Sequence, residues 1–218
     1  MPRRVLDLFC GAGGAAMGLH RAWPWAEIIG VDVVPQKHYP FTFVQTDALQ
    51  FPIAGFDFIW ASPPCQEHTP ASNIRKAQGY KYRSFIEATR ERLCESAIPY
   101  AIENVLGSPL GVSLRLCGLM FGLPLLRHRY FETSFAWLAP PHIRHSRGMA
   151  LRGEVFTVTG HTGGARKDAN GHNGGRYRLA TAPQARKAMG IEWMSRIEIA
   201  QAVPPAYSEF IARQVRFG

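Results

Sequence analysis

The chain has 218 residues, 46% hydrophobic and 19% charged, which suits one α/β domain with a small appendage and excludes a disordered chain. Its formal charge of +9 and pI near 9.8 point to an anionic partner, of which nucleic acid is the commonest. No apolar run approaches the roughly 18 residues that span a bilayer, the N-terminus MPRRVLDLFCGAGG lacks a secretory core, and four scattered cysteines form no CxxC pair, so the expectation is a cytoplasmic protein with reduced thiols and no membrane contact.

In chain order, RVLDLF (4–9), EIIGVDVV (27–34), FTFVQT (41–46), FDFIWA (56–61) and PYAIENV (99–105) read as buried strands. Each is short, rich in β-branched or aromatic residues, and bounded by Gly, Pro or Asp. A glycine-opened helix over about 12–22 and a charged helix over 84–97 lie between them. Strands alternating with helices predict a doubly wound, mostly parallel sheet with its ligand crevice at the carboxyl ends of the strands. From about 133 to 179 the composition changes: six of the sixteen residues from 160 to 175 are glycine, and one strand is expected near 154–159. Across 133–186 eight Lys/Arg stand against two Asp/Glu, so a quarter of the length holds two-thirds of the net charge. Helical signals return in TAPQARKAMG, with Gly190 as the C-cap, and in PPAYSEFIARQVRF. The chain thus divides into 1–132 with 180–218, and a small basic region at 133–179.

Two sets of residues carry chemistry. LDLFCGAGG (6–14) is a strand, a glycine turn and a helix start, which lets backbone amides approach a ligand closely. Its spacing is not the full dinucleotide fingerprint. Asp32 stands at the end of the second strand, where a carboxylate can accept two ribose hydroxyls, and Asp47 ends the third, where it can accept an adenine amino group. Together these describe an adenosyl pocket without a diphosphate clamp; the plainer reading is that both aspartates cap turns. At the fourth strand, ASPPCQ (61–66) stiffens a turn with two prolines and leaves Cys65 projecting as a nucleophile. Glu103 and Asn104 end the next strand on the same rim. Arg127 and Arg129, at i and i+2, point the same way if RHRY is a strand.

DLFCGAGG, SPPCQ, ENV, the Arg-x-Arg pair and QAVPP occur in the order seen in the DNA cytosine-5 methyltransferases, and the chain resembles that family everywhere except 133–179. The proline-cysteine-glutamine and Glu-Asn-Val elements are the specific part of the match. The resemblance implies a Rossmann-like fold that binds S-adenosyl-L-methionine (AdoMet) and acts on double-stranded DNA, as restriction-modification enzymes do. It gives Cys65 the role of adding to cytosine C6, Glu103 the N3 and N4 edge, and Arg129 the base O2, with Arg127 beside it. It puts Phe9 against the donor, Gly11 and Gly13 at its backbone, Asp32 on the ribose and Asp47 on the adenine. Val33, Ala48, Pro64, Gln201 and Ala202 complete that pocket. Four positions depart from the pattern. Ser62 replaces a glycine, Val33 a larger side chain, Leu125 a glutamine and Gln201 an asparagine.

Cytosine inside a duplex must be rotated out before C5 and C6 are accessible. The polar, basic segment 66–83 follows the nucleophile, so Gln66, Arg75, Lys76, Lys81 and Arg83 are expected on DNA. Arg166, Lys167 and Arg176 have the same expectation in 133–179, where family members carry target recognition. That region is short, implying a short or loose target, or help from a second protomer or partner protein. His142 and His145, with His161 and His172, lack cysteine partners and carboxylates in their spacing, so no metal is expected and phosphate-near histidines are. Cys10, Cys94, Cys117 and the tryptophans, Trp60 first among them, are expected in the core. Competing readings are methylation of cytosine in structured RNA such as tRNA and a catalytically silent nucleic-acid-binding relative. Exocyclic amino methylation is disfavoured because Cys65 occupies the place of the required aromatic residue.

Overall fold

In the computed structural model, the described residues are 2–64, 85–146, 149–150, 152–158 and 180–217. Seven strands form one sheet: β1 (Arg4–Leu8), β2 (Glu27–Asp32), β3 (Thr42–Gln45), β4 (Phe58–Ala61), β5 (Tyr100–Asn104), β6 (Ser113–Leu116) and β7 (Arg129–Thr133). Their spatial order is β3-β2-β1-β4-β5-β7-β6. The first five are mutually parallel, while β7 runs antiparallel to β5 and β6 pairs antiparallel with β7. The five strands read from composition are all present. β6, SLRL, is missing from that reading because only its last residue is buried, so it lacks an apolar run.

Side chains alternate across the sheet with period two. Val5, Phe58, Trp60, Ala101 and Phe131 enter one core with helices α1 (Gly14–Ala22) and the last helix of the chain. Leu6, Leu8, Ile59, Ala61 and Ile102 enter the opposite core with Ile86 and Leu93 of α2 (Phe85–Ser96). Three helices follow near the C-terminus: α3 (Ala182–Met189), α4 (Arg196–Gln201) and α5 (Pro205–Ala212). Thr181 and Ser195 close capping boxes on α3 and α4, and Gly190 ends α3 in the left-handed conformation, as its sequence position predicts. α4 has the same signal, Ser-x-x-Glu, within a segment whose sequence shows no other mark of a helix.

Helix α1 meets α5 at unusually close range. A Cβ added at Gly18 would stand 2.1 Å from the Pro205 carbonyl oxygen and 2.1 Å from Ser208 Oγ. Only glycine admits that approach, and Ser208 Oγ uses it to donate to the Ala15 carbonyl at 2.8 Å. This contact fixes α1, and with it the glycine turn that precedes the helix.

Two expectations are corrected. In place of a strand near 154–159, the described residues 154–158 carry isolated bridge positions at Phe156 and Thr157, the first paired with Leu125, while 159 lies outside the described residues. Cys94 is exposed rather than in the core, lying on the outer side of α2 with Sγ 3.3 Å from the Tyr100 hydroxyl. Trp60 and Trp23 are buried as expected, whereas Trp25 is 53% exposed. Among the described residues no helix is long and apolar enough to cross a membrane.

Candidate active site

The glycine turn opens directly from β1. Phe9 takes φ 55°, a left-handed conformation that costs a non-glycine residue of order 1 kcal/mol and is concentrated at ligand sites. Gly11 and Gly13 follow with φ 48° and 83°, and Trp193 Nε1 donates to the Ala12 carbonyl at 2.9 Å, closing the turn from α3's side of the molecule. Asp32 is the last residue of β2. Its Oδ2 accepts from the Gly11 amide at 3.0 Å and its Oδ1 from the Val34 amide at 2.9 Å. Asp47 lies two residues beyond β3 and accepts from the Leu49 amide at 2.9 Å. Both aspartates therefore cap turns, and each carboxylate oxygen retains a further lone pair for a ligand. Val33 and Val34 are 67% and 55% exposed beside Asp32, an apolar surface at the pocket mouth, while Ala48 is buried. Gln201 ends α4 exposed, and Ala202 and Val203 pack against Gly14 at the start of α1.

These residues fit an adenosyl group. Carboxylate acceptors stand at two adjacent strand ends, exposed apolar side chains lie beside the first, and strained backbone faces the same crevice. Sequence reasoning missed Asp7, which is fully buried at the centre of β1 and accepts from the Tyr39 hydroxyl at 3.3 Å. Burial, reinforced by Asp32, pushes its carboxyl well above the usual range, while the Tyr39 hydroxyl pulls it down. Nothing in a strand pattern marks an inward aspartate as functional until its neighbours are known.

The second group sits across the rim, at the ends of β4 and β5. The parallel register pairs Ala61 with Ile102, which brings Ser62 beside Glu103. Asn104 Nδ2 donates to the Pro63 carbonyl at 2.8 Å, tying the proline turn to β5. In the antiparallel pair Glu103 faces Phe131, so Arg129 is its diagonal neighbour on the same face. Arg129 Nε meets Glu103 Oε1 at 2.7 Å, with both side chains largely buried. Burial raises the Glu103 carboxyl above its ordinary value, although Arg129, Arg127 and a hydrogen bond from Ser62 each pull it down. Ser62 Oγ also accepts from Trp60 Nε1 at 3.0 Å. Ser62 thus supplies a donor to Glu103, a consequence its place in the sequence alone does not announce.

Arg127 is placed differently from Arg129. It is 5% exposed, and its two terminal nitrogens donate to the carbonyls of Val158 at 2.8 Å and Ala200 at 2.9 Å. Burial and the adjacent Arg129 disfavour its charge, which the two carbonyls compensate. Tyr207 donates to the Arg127 carbonyl at 2.6 Å. Arg127 is therefore an anchor between segments, and Arg129 is the member of the pair that faces the rim. Leu125, in place of a glutamine, is fully buried in a third apolar cluster with Met189, Ile191 and Met194. Pro64 ends the described stretch after β4. Cys65, Gln66, Arg75, Lys76, Lys81, Arg83, Arg166, Lys167, Arg176, His161 and His172 lie outside the described residues.

The sequence spacing also gave no partner to His142 and His145, and the structure corrects that. His128 and Cys117 stand next to them, and the ligand atoms of the four residues lie within 4.8 Å of one another. His142 and His145 are half-buried in this cluster rather than turned to solvent. The omission arose because Cys117 and His128 come from the β6–β7 stretch, distant in sequence from HxxH.

This strand order, with six parallel strands and an antiparallel β7 inserted between β5 and β6, defines the Rossmann-like fold of AdoMet-dependent methyltransferases. No protein-family model matches the chain, and no curated protein matches it in sequence. Among solved structures, the Entamoeba histolytica methyltransferase EhMeth is similar over 97% of both chains, with a TM-score of 0.59 and 13% identity. An RNA methyltransferase from Salinibacter ruber, in complex with S-adenosyl-L-homocysteine, aligns over 64% of this chain and 87% of its own, with a TM-score of 0.35 and 14% identity. The plantazolicin methyltransferase BpumL aligns over 48% of this chain, with a TM-score of 0.34 and 18% identity; the chain covers 40% of its length. The likeness of fold rests on the first of these.

Proposed function

We propose that the chain transfers the methyl group of AdoMet to C5 of cytosine in double-stranded DNA, through a transient bond between Cys65 and C6 of a base rotated out of the helix. The observation that carries this reading is the Glu103–Arg129 pair, 2.7 Å apart, beside Ser62 and a proline turn pinned by Asn104. Pro64, which ends the described stretch after β4, immediately precedes Cys65 in the sequence.

The chemistry follows from the residue types. Cytosine C5 is too weak a nucleophile to take a methyl group unaided. Addition of the Cys65 thiolate to C6 breaks the C5–C6 π bond and moves its electron pair toward N3, where a proton from Glu103 neutralises it. A carboxyl raised by burial holds that proton nearer to neutral pH than an ordinary glutamate does. Bound AdoMet supplies an electrophilic methyl group, held by Asp32, Asp47, Phe9 and the turn at Gly11 and Gly13. Loss of the C5 proton to a base then expels Cys65 as thiolate, and N3 returns its proton to Glu103. Arg129 bonds the base O2 while remaining paired with Glu103. Residues 66–83 and 133–179 are assigned to DNA, the second as the target-recognition region set into a catalytic part formed by 1–132 and 180–218.

Duplex DNA containing 5-fluorocytosine tests this directly, because fluorine cannot leave C5 as a proton does. Wild-type protein with AdoMet should form a stable covalent complex, and Cys65→Ala should form none. Methyl transfer to tRNA but not to duplex DNA would replace the substrate and keep the chemistry. No transfer to either, with AdoMet bound, would overturn the reading.

A further inference from the structure

Four side chains outside the rim converge on one point. Cys117 follows β6, His128 precedes β7, and His142 and His145 come from the segment after β7. His128 Nε2 is 3.1 Å from His142 Nε2 and 3.1 Å from His145 Nε2. Cys117 Sγ is 3.5 Å from His145 Nε2. We propose that Cys117, His128, His142 and His145 form a closed, four-coordinate structural zinc site.

Hydrogen bonding alone accounts poorly for the cluster. A neutral imidazole nitrogen either donates one proton or offers one lone pair, yet His128 Nε2 faces two ring nitrogens at equal distance. A central cation satisfies all of them at once. Its geometry also fits: Zn–N bonds of about 2.0–2.1 Å and Zn–S bonds of about 2.3 Å give tetrahedral edges of about 3.3 Å between nitrogens and about 3.6 Å between sulfur and nitrogen. Three of the six edges, at 3.1, 3.1 and 3.5 Å, lie close to those values, and the remaining three are within 4.8 Å, a span that side-chain rotation about a bound ion closes. One thiolate and three imidazoles, with no carboxylate in the group, select zinc over magnesium or calcium. Four protein ligands leave no open position, so the site is structural. Binding releases the Cys117 thiol proton to solvent and makes the thiolate the fourth ligand.

The placement gives the metal a task. His128 lies between Arg127 and Arg129, so fixing it fixes the element that carries both guanidiniums. His142 and His145 stand in the first part of the 133–179 region, and Arg127 holds Val158 of the same region through its carbonyl. The metal would thus pin the 142–145 part of that region to the stretch that Arg127 already joins to Val158.

The test uses the full chain without a histidine tag. Elemental analysis after dialysis against a weak chelator should find about one zinc per chain. Cys117→Ser and His142→Ala should each lower that occupancy at least tenfold, while His20→Ala, away from the cluster, should retain it. Replacement with cobalt(II) should give intense tetrahedral absorption with a thiolate charge-transfer band. That band needs no variant to be read in the wild type, and Cys117→Ser should abolish it. Zinc below a tenth of an equivalent in protein made with ample zinc overturns the proposal, as does a weak octahedral cobalt spectrum or one equivalent of a different metal.

Discussion

Glu103 has three neighbours, Arg129, Arg127 and Ser62, that act on it in the opposite sense to its burial. The protein interior favours the neutral acid, and these three favour the anion. In the proposed reaction the carboxyl is needed as a proton donor, so activity that depends on it should decline as pH rises through its raised value. Cys65 requires the opposite, since only the thiolate attacks. The pH profile of turnover should be bell-shaped, and Glu103→Gln should remove the limb that falls on the alkaline side. Because the carboxylate acts on the activated ring, Glu103→Ala should lower kcat about a hundredfold or more with DNA affinity changed much less. Single-turnover assays with a parallel binding isotherm check this. A loss confined to affinity would contradict the assignment. Ser62→Gly removes one of the donors that favour the anion, so it should move the alkaline limb of the profile to higher pH.

At the scale of elements, the contact between α1 and α5 decides how the glycine turn is presented. Gly18→Val would force a side chain into the Pro205 carbonyl and Ser208, whose closest atoms stand 2.1 Å from the new Cβ. Overpacking of this kind costs about 3 kcal/mol or more, which for a chain of this size is a fall of roughly 10 °C in Tm. AdoMet affinity should weaken with it, because the helix that follows the turn is displaced. An unchanged Tm would mean that the two helices separate freely. The strands and α1 were legible in sequence because buried parallel strands are short apolar runs and the glycine turn marks the helix start. β6 was not, since an edge strand with polar sides needs no apolar pattern. Asp32, Asp47 and Glu103 could be placed on one rim because parallel strands bring their carboxyl ends together, whereas Arg127 and Arg129, expected to point the same way, part company: only Arg129 faces the rim. What the sequence did not reveal depends on contacts between distant segments: Asp7 with Tyr39, Ser62 with Glu103, Arg127 with Val158 and Ala200, and Cys117 with three histidines.

For the molecule as a whole, charge and anchoring argue together about how DNA would be held under the proposed function. Two-thirds of the net charge of +9 falls within residues 133–186, and its described residues 142–145 and 156–158 meet the stretch that joins β6 to β7. Phe156 exchanges backbone hydrogen bonds with Pro124 and Leu126 at 2.8 and 2.9 Å, Val158 accepts from Arg127, and His142 and His145 reach Cys117 and His128. A basic segment anchored at these points can grip phosphates, but about 45 glycine-rich residues offer few side chains to base edges. Affinity should therefore be dominated by phosphate contacts and fall steeply with salt, by several decades per decade of concentration if six or so contacts form. Specificity should be low, because each well-read base pair requires its own bidentate or apolar contact. Titrations over a range of salt concentrations measure the first expectation. Bisulfite mapping in a host without its own cytosine methylation measures the second, with a target shorter than about six base pairs expected. A strict longer site would require base contacts from outside this short segment, and hence a second protomer or a partner protein on the DNA.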